Sequence, residues 1–334
     1  MEKTSEIILS VCIPTYNRAR FLKNSLDSLY KQINDTNRKY IEVMVSNNCS
    51  TDNTHSLVED YIKKGMEITY FKNKSNIGPD GNFLQCIHQA RGKYVLLLGD
   101  DDLLLDGSVN TLIKILSQDE YGVIYLSGRP YSERNIKGPN VTDVDVIGQT
   151  YIDINAFLKR EQVFVTFMSG NIFNKTLVPQ FDATMYSKSY LLQVPFFLYA
   201  ACRAKKNLYL NEKFLATGGN GDNNGGYRLF QVFGVNLFDI LQSFKREGIS
   251  DDAIQYIANK VLVNFFPFFI LAAREKGNFT SEPIQVLEKH HAKNWRYRYI
   301  DYPLFKLPFP IAKGAYFIFR CFRKTLRLAG LWKD

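Results

Sequence analysis

Four short apolar runs, each closed by a polar cluster and followed by apolar residues at helical spacing, constrain this chain more than any other feature. IILSVCI (7–13) ends at Pro14, and Phe21, Leu22, Leu26 and Leu29 then recur along one face of a helix over 20–31. IEVMV (41–45) runs into SNNCSTDNT, where Asp52 is placed to cap a helix marked by Leu57, Val58, Tyr61 and Ile62. ITYF (68–71), the turn NKSNIGPDG and a helical stretch from Asn82 to Arg91 repeat the unit, and YVLLL (94–98) opens a fourth. Strands alternating with helices form a parallel, doubly wound sheet, in which ligands bind beyond the carboxyl ends of the strands.

The fourth run leads into three consecutive carboxylates, Asp100, Asp101 and Asp102. Like charges this close repel, so either water at a plain surface turn or a bound cation must offset them. PTYNR (14–18), SNNCSTD (46–52) and GDDD (99–102) each follow a predicted strand, so the fold gathers all three clusters along one edge. Acids at such an edge are suited to a hard divalent ion that keeps waters and takes phosphate oxygens as its other ligands. A diphosphate is the expected partner.

With 334 residues, 46% of them hydrophobic, the chain is long enough for one large α/β domain and a smaller extension. Lys and Arg exceed Asp and Glu by 42 to 33, a charge of +9 that suits phosphate-rich ligands, nucleic acid or an anionic membrane. The acidic motif edge argues against nucleic acid, which would need basic and aromatic residues along one groove. Five cysteines at dispersed positions imply reduced thiols and no zinc site. The start MEKTSE is not a signal peptide, and no uncharged apolar run reaches the roughly 18 residues of a spanning helix.

Taken in order, VCIPTYNR (11–18), VSNNCSTD (45–52), NIGPDGNF (76–83) and LGDDD (98–102) resemble the nucleotide-sugar-binding half of family 2 glycosyltransferases of the GT-A fold. NIGPDGNF, the GDDD acids and NGDN (220–223) are similar to the abequosyltransferase-like branch, which adds a dideoxyhexose to bacterial O-antigen. The resemblance implies a GT-A catalytic domain over 1–225, its nucleotide-sugar half at 5–130 and its acceptor half at 131–225, then a helical region over 226–334. It places Pro14, Thr15, Tyr16 and Arg18 in the nucleotide pocket, with the Tyr16 ring toward the base and Arg18 near the diphosphate. Tyr16 also reads as simple packing at a strand end. Asn47 stands where most relatives carry an Asp that meets the base, and an amide both donates and accepts, so cytosine is met as readily as uracil. Asp80 either points toward the nucleotide or caps the helix from Asn82. Asp100 is assigned to the ribose and, with Asp102, to a Mn2+ or Mg2+ ion, with Asp101 in support.

VFVTFMSGNIFN (163–174) reads as a strand entering a small-residue turn, Ser169-Gly170-Asn171, that walls the acceptor site or is an ordinary hairpin turn. Inverting relatives carry an acidic pair at the start of the next helix, where a carboxylate deprotonates the acceptor hydroxyl. Residues 185–197 contain no acid, leaving Asp182 and Asp222 as candidates. Asp222 lies in GGNGDNNGG, a loop able to close over a ligand or a merely flexible turn. The four histidines fall outside every motif and read as surface or packing residues.

Beyond that loop the spacing predicts helices over 230–244 and 254–273, with Val261, Phe265, Phe268 and Phe269 as a core stripe. Residues 302–332 mix aromatic residues with Lys306, Lys313, Arg320, Arg323, Lys324 and Arg327 and contain no acid. Such a segment either packs as a helix or lays its apolar face into an anionic lipid surface. The reading is therefore an enzyme moving a sugar from a UDP- or CDP-linked donor to a lipid-linked oligosaccharide, peripheral on the cytoplasmic face of the plasma membrane and without nucleic acid. Its rival is a catalytically impaired nucleotide-binding or scaffold protein of the same fold.

Overall fold

The computed structural model describes residues 7–131, 141, 147–218, 228–277 and 281–328. Its contacts divide the chain into two units, residues 1–225 and 226–334. The first opens with β1 (Leu9–Thr15), α1 (Ala19–Tyr30), β2 (Ile41–Asn47), α2 (Thr54–Lys63), β3 (Ile68–Lys72), α3 (Gly78–Gln89) and β4 (Tyr94–Leu97). β5 (Leu103–Leu104), α4 (Ser108–Gln118), β6 (Val123–Tyr131), β7 (Gly148–Tyr151), α5 (Ile154–Glu161), β8 (Asn171–Asn174), α6 (Gln193–Arg203) and β9 (Asn207–Gly218) complete it.

The sheet order is β3-β2-β1-β4-β8-β6-β9-β5, with β7 on β9. The first four strands pair in parallel, as their alternation with helices predicts. β8 then runs antiparallel to both β4 and β6, so the sheet as a whole is mixed. Alternate residues of β1 and β4 feed two cores: Leu9, Val11, Ile13, Leu96 and Leu98 beneath α1 and α4, and Cys12, Val95 and Leu97 with Phe173, Phe196 and Phe197 on the other face. Both faces are covered, which is why these strands read as continuous apolar runs. Each fully buried aliphatic side chain contributes about 1.5–3 kcal/mol. Because β2 and β4 flank β1 on opposite sides, the strand order reverses at β1 and opens a crevice between the carboxyl ends of β1 and β4.

Residues 163–174 differ from the expected strand and turn. Two 3-10 segments, Gln162–Thr166 and Met168–Gly170, come first, and the strand Asn171–Asn174 follows them. Asn171 holds this irregular stretch, donating from Nδ2 to the carbonyls of Phe164 and Phe167 at 3.1 Å each, and Gln193 donates to Thr166 O at 2.9 Å.

In the second unit α7 (Leu229–Gln231), α8 (Leu237–Ser243), α9 (Asp251–Lys260), α10 (Phe266–Glu275), α11 (Glu282–His291), α12 (Tyr302–Lys306) and α13 (Phe309–Leu328) enclose a core that includes Leu241, Ile257, Leu262, Phe266 and Leu287. The expected stripe is corrected here: Phe268 is 62% exposed, while Leu262, Val263, Phe266 and Ile270 join Val261 inside. A π-helical turn over Val261–Phe265 adds a residue to one turn and rotates the face that follows. The stretch Asp251–Glu275 is also long and apolar enough by composition to cross a membrane, although 44% of its apolar window is buried within the protein. All five cysteines are free thiols. His291 is buried against Phe238 and Phe266 and is lowered to about 4 by burial, as a packing histidine should be.

Glu161 closes α5 with a fully buried carboxyl, and burial pushes it up to about 8 against a hydrogen bond from Asn171. Its folded value lies above the ordinary carboxylate value, so this site favours the fold at low pH and loses that contribution as pH rises toward 8. Glu161→Gln is expected to raise the melting temperature at pH 8 and to reduce the slope of stability between pH 5 and 8 by up to about 1.4 kcal/mol per pH unit. Thermal melts across that range check it; an unchanged slope would assign the dependence to other groups.

Candidate active site at the carboxyl edge

The crevice is built where β1 and β4 end. Thr15, the last residue of β1, donates from Oγ1 to Asp100 Oδ2 at 2.7 Å. Arg18, just ahead of α1, places Nε on Asp100 Oδ1 and Nη2 on Asp101 Oδ2, both at 2.7 Å, with its guanidinium 4.5 Å above the Phe21 ring. Asp102 accepts from Ser169 Oγ at 2.5 Å and from the Gly218 amide at 2.9 Å. Ser169 in turn accepts from the Gly99 amide at 2.8 Å, so the irregular stretch ahead of β8 fixes the acidic turn from beneath. Sequence reasoning gave Ser169 an acceptor-facing role and missed this one.

Burial pushes the Asp100 carboxyl up to about 6 despite the Arg18 charge, and Asp102 up to about 7 despite the Ser169 hydroxyl. Asp101 adds to both rises. Asp102 is thus a buried carboxylate whose partners are a neutral hydroxyl and an amide, whereas Arg18 pairs with Asp100 and Asp101. Among the described residues no cluster of three or more His, Cys, Asp or Glu is arranged to enclose a metal. A cation at Asp102 would therefore take most of its ligands from substrate and water, as a small hard ion does.

The other expected positions separate. Tyr16 is 42% exposed, leaving a ring face accessible. Pro14 is buried in β1 opposite Ser46 and shapes the strand end. Asn47 is fully buried, donating to Tyr70 Oη at 2.9 Å and accepting from the Ser50 amide at 2.8 Å, so it holds the loop after β2. Asp52 caps two helices, accepting from the amides of Thr54 and Ala19. Asp80 makes no cap for α3, and its Oδ2 accepts from the Tyr190 amide at 3.2 Å, ahead of α6. Asp182 is exposed and accepts from the Thr184 amide, which lowers its pKa. Asp222 lies outside the described residues.

Asn76, Ile77, Gly78 and Asn82 of NIGPDGNF serve as wiring. Asn48 accepts from the Ile77 amide at 2.9 Å and donates to Asn76 Oδ1 and Gly78 O, while Asn82 links to Ser46 through both ends of its amide. The loops after β2 and β3 are thereby tied into one wall.

Residues 10–193 match the family described as glycosyl transferase family 2, more than half of the chain. The chain belongs to glycosyl transferase family 2. Similar family relatives include abequosyltransferase RfbV of Salmonella typhimurium, 36% identical over 37% of this chain and 36% of the relative. A second is the GalNAc(5)-diNAcBac-PP-undecaprenol beta-1,3-glucosyltransferase of Campylobacter jejuni, 38% identical over 32% of this chain and 33% of the relative. The aligned segment thus spans about a third of these relatives. Staphylococcus aureus TarS 1–349, solved with UDP-GlcNAc, aligns at TM-score 0.59 and 18% identity over 87% of this chain and 90% of that one. The mannosyltransferase PcManGT of Pyrobaculum calidifontis, solved with GDP-Man and Mn2+, aligns at 0.53 and 16% over 94% and 90%. These likenesses establish the GT-A-like fold.

Gly218 is required by close approach: a Cβ there would lie 2.5 Å from the Asp101 carbonyl oxygen. Gly218→Ala is expected to push the acidic turn out of register, costing about 1–3 kcal/mol of stability and weakening nucleotide binding at least tenfold. Denaturant unfolding and calorimetric titration with a nucleoside diphosphate measure the two effects.

Proposed function

We propose that this chain transfers a sugar from a nucleoside-diphosphate donor, UDP- or CDP-linked, to a hydroxyl of a lipid-linked bacterial surface glycan such as O-antigen. The observation that carries the reading is the cluster Thr15–Asp100–Arg18–Asp101, with Asp102 beside it held by a hydroxyl and an amide, at the point where the strand order reverses. Asp102 would hold a Mn2+ or Mg2+ ion; once bound, the ion supplies positive charge beside the diphosphate. Arg18 presents a fork of donors at the same place, and Tyr16 offers a ring face for the base. Asp100, fixed by Thr15 and Arg18, would meet a ribose hydroxyl beside the ion. The similarity to an abequosyltransferase supports a dideoxyhexose as the sugar moved. The Campylobacter relative, named for an undecaprenol-linked substrate, supports a lipid-linked acceptor.

The second unit supports a membrane surface as partner. On α13, Ile311, Ala315, Ile318 and Phe322 recur at i, i+4, i+7 and i+11 and are all exposed. The exposed cations Lys313, Arg320 and Lys324 lie on the opposite side of the same helix, beside the exposed Phe317. An exposed apolar stripe on a helix that carries these cations and no acid fits the headgroup boundary of an anionic bilayer, at the inner face of the plasma membrane.

A panel of nucleoside diphosphates with and without Mn2+ tests the donor site by thermal shift. The cognate one should stabilise the protein in a metal-dependent way. Asp102→Ala is expected to abolish transfer and the metal-dependent part of nucleotide affinity while the fold persists; normal turnover in that variant would refute the metal assignment. For the membrane, Ile318→Asp with Phe322→Asp should release the protein from phosphatidylglycerol vesicles at an unchanged melting temperature. Vesicle sedimentation that survives both charges would exclude α13 as the contact.

A further inference from the structure

We propose that Asp80 is the group that takes the proton from the acceptor hydroxyl. The inference rests on the transferase reading. In direct displacement the hydroxyl oxygen bonds to the anomeric carbon. The bond from that carbon to the diphosphate oxygen breaks, its electron pair leaves with the phosphate, and the proton needs a carboxylate or imidazole within reach.

The segments that follow β2, β3 and β4 carry five carboxylates, Asp52, Asp80, Asp100, Asp101 and Asp102, at or near the carboxyl edge. Asp52 is engaged by Ala19 and Thr54 at both oxygens, Asp100 and Asp101 by Arg18, and Asp102 by Ser169 and Gly218. Asp80 differs. Its Oδ2 rests on the Tyr190 amide, while Oδ1 is buried and, among the described residues, has no partner at hydrogen-bond distance and angle, although the amides of Lys188, Ser189 and Leu192 lie nearby. An unpartnered buried oxygen is costly, so its persistence calls for an explanation. A hydroxyl arriving there would complete it. Burial also raises this carboxyl against the backbone amides of Tyr190, Leu192, Lys188 and Ser189, the direction a base requires.

Position supports the same role. Asp80 lies in the first turn of α3, beside the loops that the asparagine ties hold at the nucleotide edge. Tyr190 stands three residues before Gln193, whose amide reaches Thr166, and Ser169 a few residues on holds Asp102. Asp80 therefore brings from α3 a carboxylate to the approach of α6, a segment whose own sequence, 185–197, contains none. The turn whose amides meet the Asp80 carboxyl is strained: Lys188 and Tyr190 both adopt left-handed conformations, with φ of 67° and 59°. Such conformations cost non-glycine residues about 1–2 kcal/mol each.

The test compares Asp80→Asn with Asp222→Asn and the wild-type enzyme, using a CDP- or UDP-sugar and a lipid-linked acceptor. Asp80→Asn keeps the shape and the Tyr190 contact. Its kcat is expected to fall about 100- to 10,000-fold, with nucleotide affinity and melting temperature unchanged, and the wild-type product should carry the inverted anomeric configuration. Near-normal kcat in Asp80→Asn, retention of configuration, or a parallel loss of melting temperature and nucleotide affinity would overturn the proposal. In the last case Asp80 would merely anchor the turn. Loss of turnover in Asp222→Asn alone would move the role to the loop. Transfer by the wild type establishes the parent reading separately; its absence would refute that reading, not the choice of residue.

Discussion

The acidic turn can fold because Arg18 stands inside it. Two like charges about 4 Å apart near a protein surface repel by roughly 4 kcal/mol, and the turn after β4 holds three in succession. A guanidinium offers donors in a planar fork, and here Nε and Nη2 reach two different carboxylates at 2.7 Å each. Lysine would present a single point of charge and could not bridge them with the same geometry. The Phe21 ring beneath Arg18 fixes the plane of the fork, and Phe21 in turn belongs to α1, whose apolar face is buried on the sheet. The charge pattern of the site is thus set by how a helix packs.

A second constraint comes from amides. Carboxylates only accept, whereas the loops after β2 and β3 need groups that donate to carbonyls and accept from amides in one place. Asn48 does both within a single side chain, and Asn73 and Asn82 extend the ties toward Ser46. Asn47 makes the same exchange with Tyr70 and Ser50. An aspartate at 47 would lose the donor to Tyr70, so loop geometry by itself gives a reason for an amide at this position.

How much was legible follows from these two constraints. The first four strands were readable because each is buried on both faces and ends in a cluster of polar residues, a local signal. Thr15, Arg18 and the acids were readable because they lie at those ends. Ser169 as the partner of Asp102 was not, since it lies 67 positions away and is brought close by the antiparallel insertion of β8. Glu161 gave no signal either: an acid ending an amphipathic helix reads as solvated, and only the packing around Asn171 encloses it. The stripe on α10 failed for a different reason. Periodicity assumes 3.6 residues per turn, and the π-helical turn at Val261–Phe265 breaks that count.

The site therefore neutralises its three acids in three unlike ways. Asp101 has a partly exposed side chain and an arginine contact, and Asp100 combines that arginine with a hydroxyl. Among the described residues Asp102 has only neutral donors, and burial pushes its carboxyl up to about 7. Because its folded value lies above the ordinary one, the fold loses this contribution as pH rises through 7. A cation would reverse that, replacing the proton and holding the carboxylate charged. The carboxylate that Arg18 leaves unpaired is thus the one whose protonation responds most to an arriving charge, and this places responsiveness to a donor at one residue while Arg18 keeps the rest of the turn fixed.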